Sequence, residues 1–116
     1  MSVQSENLKI TRGDSKAYLL EFTDGSGVVK DITGWTVFFT VTDNLDAADD
    51  THAQIVKTVT VHTDPTHGKT TINLLPADTN LLGDYYYDIQ IKYDGKVETI
   101  VAGVITFNAD ATKRTV

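Results

Sequence analysis

The chain has no cysteine. That absence removes disulfides, a thiolate nucleophile and any cysteine-ligated metal or iron–sulfur centre, so a fold must be held by its apolar core alone. Basic residues are also short: 10 Lys and Arg stand against 16 Asp and Glu, for a formal charge of −6. A nucleic-acid surface needs clustered cations that release counterions from phosphates, and DNA or RNA is therefore not expected as a partner. No hydrophobic run is long enough to span a bilayer, and no apolar stretch follows a basic segment at the N-terminus. These features predict a chain made and folded in a cytoplasm, which leaves by lysis or within a larger assembly if it works outside a cell. Catalytic signatures are missing too: there is no G-x-S-x-G elbow, H-E-x-x-H pair, P-loop or dinucleotide fingerprint. The expectation is a protein that is not an enzyme and needs no cofactor.

What is present is alternation. From Tyr85 to Tyr93 the odd positions are Tyr85, Tyr87, Ile89, Ile91 and Tyr93, and the even ones are Tyr86, Asp88, Gln90 and Lys92. A period of two gives a strand with one dry face and one wet face. Asp94-Gly95 follows, the dipeptide that accepts positive φ at both centres of a type I′ turn, and Lys96 to Phe107 supplies a second β-rich run. A long antiparallel hairpin is predicted, with a bulge where Ala102-Gly103 interrupts its second arm. Leu81, Leu82 and Gly83 lead into the tyrosines as the E–F corner of an immunoglobulin-like sandwich leads into its strand F.

The rest of the chain has the same character. Leu8 and Ile10 form a short edge strand broken by Arg12-Gly13-Asp14, a tripeptide that adhesion receptors read but that is also an ordinary break between strands. Ser15 to Phe22 places Tyr18, Leu20 and Phe22 on one face, with Leu19 leaving the parity ambiguous. Thr23 to Gly27 is a hairpin tip, and Val28-Val29 begins a returning strand; a phosphate loop would need a Lys-Ser/Thr ending and a following helix. Trp35, Val37, Phe39 and Val41 point inward on a central strand, and Trp35 and Tyr87 are expected between two sheets. Ile55, Val59 and Val61 share a face that Lys57 interrupts, and Thr70, Ile72 and Leu74 form the strand after the turn at Asp64-Pro65. About seven or eight short strands at this spacing predict an all-β, immunoglobulin-like antiparallel β-sandwich. It would occupy residues 1–107, with 108–116 as a C-terminal tail.

Candidate sites are few. Asp43, Asp46, Asp49 and Asp50 offer hard carboxylate oxygens, but their loop lacks the glycine and closing glutamate of an EF-hand, and a solvated acidic loop is expected. His62 and His67 flank a Pro-containing turn rather than one helix face, so they and His52 read as exposed histidines and not as metal ligands. Phe38 and Tyr86 fall on the outward parity of their strands, which marks them as possible partner contacts. An exposed Trp35 beside Tyr86 could alternatively stack on a sugar ring.

Three segments together resemble a known family: D-I-T-G-W-T-V-F-F-T-V at Asp31 to Val41, H-T-D-P-T-H-G-K-T-T-I at His62 to Ile72, and G-D-Y-Y-Y-D-I-Q-I at Gly83 to Ile91. They are similar to small immunoglobulin-like domains of phage and prophage tail structural proteins, in particular the N-terminal domain of baseplate upper proteins. The resemblance implies a non-catalytic structural or interaction domain of a virion, in a baseplate, tail tip or tail fibre, synthesised in the host cytoplasm. Its implied partners are other phage tail or baseplate proteins, with a homo-oligomer possible and neither nucleic acid nor membrane involved. The alternative is a carbohydrate- or host-receptor-binding module built on exposed aromatics such as Phe38 and Tyr86.

Overall fold

A computed structural model of the chain describes residues 4–46 and 52–111. Its strands are β1 (Gln4–Ser5), β2 (Leu8–Thr11), β3 (Lys16–Glu21), β4 (Thr36–Thr42), β5 (Ala53–Val59), β6 (Lys69–Leu74), β7 (Gly83–Tyr93) and β8 (Lys96–Asn108), with a 3-10 turn at Pro65–His67. The large sheet runs β8-β7-β4-β5, with β1 and β2 along the outer edge of β8, and β3 pairs with β6 in a second, two-stranded sheet. This is the expected β-sandwich. Alternation decides which side chains fill it. Val37, Phe39 and Val41 of β4 and Tyr87, Ile89 and Ile91 of β7 point inward and meet Ile72 and Leu74 of β6. Each such aliphatic side chain contributes about 1.5–3 kcal/mol by leaving water. The Phe39 ring lies centrally, 6.4 Å from Tyr18 and 5.9 Å from Tyr87 by centroid. On β3 the parity resolves: Leu19 is 66% exposed, and Tyr18 and Leu20 pack against the core.

The central hairpin forms as predicted. Tyr93 pairs with Lys96 across Asp94 (φ 50°) and Gly95 (φ 74°), the two positive angles of a type I′ turn. At the other hairpin tip, the Asp24 carboxylate accepts from the backbone N–H of Ser26 and Val28, and the returning strand is reduced to a single bridge between Thr23 and Val29.

Three expectations need correction. The sandwich is not wholly antiparallel, because β1 and β2 both run parallel to β8. Gln4 pairs with Val101 and Leu8 with Ile105 at one common offset, so the two are a single strand interrupted opposite Gly103 and Val104. Alternation within a strand carries no information about the direction of its neighbour. Second, the bulge falls at Ile100: Ile89 pairs with Val101 and Gln90 with Thr99, and the buried Ile100 is passed over. Gly103 has another role. A Cβ there would run into the Glu6 carbonyl, so glycine permits the close passage of the N-terminal strand. Third, Trp35 precedes β4 and is only half-buried, at the margin of the core.

The connection from β6 to β7 is pinned by Thr79, fully buried, whose hydroxyl donates to the Asp14 carbonyl at 2.8 Å. Lys57 points inward from β5 and meets Asp78 at 2.7 Å, closing that connection over the edge of the large sheet. An inward charge on an edge strand also discourages pairing with a stray strand.

Candidate interaction face

With the inward residues of β4, β5, β7 and β8 committed to the core, the alternate residues build the outer face. Register sets them in rows. Thr58, Phe38, Gln90 and Thr99 lie side by side; next to them come Val56, Thr40, Asp88 and Ala102, and on the other flank Thr36, Lys92 and Val97. All but Thr36, Thr99 and Ala102 line a groove of about 530 Å³ that also receives Leu45. Phe38 is half-buried there, while Val56 is 51% and Val97 58% exposed. The polar lining is threonine hydroxyls, the Gln90 amide, the Asp88 carboxylate and the Lys92 ammonium, with Gln90 Nε2 donating to Asp88 Oδ2 at 3.3 Å.

The two predicted contact residues share this face without touching. Tyr86 pairs with Thr42, four residues along β4 from Phe38, a separation of about 13 Å along the strand. Sequence parity placed both residues on this side of the sheet. It could not identify Val56, Val97, Asp88 and Lys92 as their neighbours, since strand order is a tertiary property.

The other candidates disperse into structural roles. Trp35 offers no free ring for a sugar: Tyr93 stacks on it at 4.5 Å, Phe22 meets it edge-on at 5.7 Å, and the Lys30 ammonium lies 5.9 Å from its centroid. His62 is half-buried rather than exposed. Its Nε2 lies 2.7 Å from the Trp35 carbonyl oxygen and its Nδ1 2.9 Å from the hydroxyl of the fully buried Thr70. A carbonyl can only accept, so Nε2 carries the proton, and in the neutral ring Thr70 donates to Nδ1. The imidazole thus ties the start of β4 to β6. His67 contacts both Asp64 carboxylate oxygens at 3.0 Å. That hydrogen bond, opposed by burial and aided by the His67 and Lys69 charges, holds the Asp64 carboxyl below its ordinary range. His52 pairs with Asp43 at 2.9 Å, and Asn44 Oδ1 accepts from the Asp46 N–H; Asp49 and Asp50 lie outside the described residues. Among the described residues, no three His, Cys, Asp or Glu side chains gather around a point that could hold a metal ion. In the Arg-Gly-Asp segment, the Arg12 guanidinium is engaged with Asp110 at 2.9 Å.

Comparison with known proteins then decides the context. The family model of the BppU N-terminal domain matches residues 1–115. The chain belongs to this family. BppU N-terminal domains are phage baseplate domains, which gives the chain a structural place in a virion. Among solved structures, it is similar to the N-terminal domain of phage TP901-1 ORF48, with 13% identity over 94% of this chain and 85% of that one and a TM-score of 0.47. No curated protein matches this BppU N-terminal domain.

Proposed function

We propose that this domain is a non-catalytic module of the virion that acts by protein–protein contact through the outer face of its large sheet. Phe38 lies near the centre of that contact and Tyr86 at its border. One observation carries the reading: Phe38, Val56 and Val97 come together in a groove on the outward side of a sheet whose inward side already has a filled core. An aromatic in an apolar hollow with a polar surround is the usual anatomy of a contact hot spot. The partners are other tail or baseplate proteins or further copies of the chain, with no cofactor, nucleic acid or membrane required. The domain is made in the host cytoplasm and works in the assembled tail.

The test is Phe38→Ser. Binding of the purified domain to the other tail and baseplate proteins of its phage, measured by co-sedimentation or light scattering, should fall sharply, with the melting temperature little changed. A contact of this kind should bury at least about 1,000 Å² in total. A wild-type domain that neither self-associates nor binds any tail protein would sink the reading. A glycan-array signal lost on Tyr86→Ala would replace it with the carbohydrate-binding one.

A further inference from the structure

We infer that this face closes on a second copy of the chain, about a two-fold axis lying in the plane of contact and running across the strands through Phe38 and Gln90. The inference rests on the contact reading above and names its occupant. A closed two-fold contact sets one patch against itself, so the patch must be self-complementary. The register of β7 supplies that property. Asp88 and Lys92 both point outward, two residues to either side of Gln90, and Gln90 lies beside Phe38. An axis across the strands at Gln90 reverses strand direction but keeps strand order. It therefore places Asp88 over Lys92 of the second copy, and Lys92 over its Asp88, around a centre where the two Phe38 rings meet.

The same operation lays Val97 against Ala102 of the second copy, because these sit in the flanking rows of β8, beside Lys92 and Asp88 respectively. An axis along β7 would instead set Asp88 on Asp88 and Lys92 on Lys92, where like charges in contact are strongly unfavourable, and one along β4 would set Asp88 over Val56 and leave the charges unpaired. The charges thus favour the axis across the strands over either of these. Stacked sheets keep their strands within about 30° of alignment, so sheet twist does not displace these pairings by a whole strand. Tyr86, in the row beyond Asp88, falls at the border.

Charge reversal of the full chain tests the arrangement, read by sedimentation equilibrium with circular dichroism as the folding control. Wild type should form a dimer. Asp88→Lys alone and Lys92→Asp alone should each weaken it by about tenfold or more, since each creates two like-charge contacts. An equimolar mixture of the two variants should recover the dimer, because one variant then presents a pair of lysines at these two positions and the other a pair of aspartates. Dimerisation unaffected by either change, or a mixture no tighter than its components, overturns the arrangement. A monomeric wild type overturns the second copy as occupant. If that monomer still binds other tail proteins in a Phe38-dependent way, the broader contact reading survives; if it binds none, both fail.

Discussion

Tyr87 joins the core to the N-terminal strand. Its ring is buried against Phe39, and its hydroxyl donates to the Glu6 carbonyl at 2.6 Å, where β1 and β2 are interrupted over Gly103. Burial, with the Glu6 charge and Tyr18 nearby, pushes the phenol up to about 12. The folded value lies above the ordinary 10.0, so the associated stability is fully present below pH 10 and is lost as pH rises through about 12. Tyr87→Phe keeps the ring and deletes the hydrogen bond. It should cost about 1 kcal/mol in chemical denaturation, speed amide exchange in β1, and reduce the alkaline loss of stability. Tyr87→Ala should cost about 3–5 kcal/mol, and Tyr86→Ala much less. The reverse order would place β7 one residue out of register. Parity alone reveals which of these neighbouring tyrosines is core. The hydroxyl's partner is invisible in sequence, because Glu6 is brought to it by a parallel strand from the far end of the chain.

At the scale of elements, the hairpin β7–β8 was legible because period-two alternation and Asp94-Gly95 are both local signals. Gly95→Val should destabilise it by about 2 kcal/mol, since a β-branched residue resists positive φ, whereas Asp94→Asn should be nearly neutral. Indifference to Gly95→Val in thermal melting would mean a different turn in solution. The bulge at Ile100 and the joining of β1 and β2 to β8 were not legible, because both depend on the strand alongside. Lys57 belongs to the same class: it breaks an apolar pattern in sequence, and only the packed structure supplies Asp78 as the reason. Burial pushes the Asp78 carboxyl up, but hydrogen bonds from Lys57 and the Leu75 backbone N–H, with the Lys57 charge, outweigh it and leave the group below its ordinary 3.8. A lowered folded value means a contribution present above pH 3.8 and lost as pH falls through the folded pKa. Asp78→Asn should therefore cost up to about 1 kcal/mol at neutral pH and nothing at the acid end, which a pH series of denaturation midpoints would detect.

For the whole molecule, two adjacent residues separate folding from contact. Phe39 points into the space shared by both sheets and is fully buried; Phe38 points out into the groove. The alternation of β4 predicted that division, but the sandwich had to form before Phe38 acquired Val56 and Val97 as neighbours, which is why the core could be read from the sequence more fully than the face. Because Tyr18 of the small sheet and Tyr87 of the large one both pack on Phe39, the sheets should unfold together in a single calorimetric transition. Phe39→Ala should cost about 3–5 kcal/mol, a large part of the roughly 5–15 kcal/mol available to a domain. Phe38→Ser, at the next position, should change stability by less than about 1 kcal/mol and yet abolish association. Calorimetry and light scattering on the two variants separate the roles. If Phe38→Ser unfolds the domain as severely as Phe39→Ala, the outer aromatic belongs to the core and the face is not a contact surface; if Phe39→Ala splits the transition in two, the sheets do not share one core.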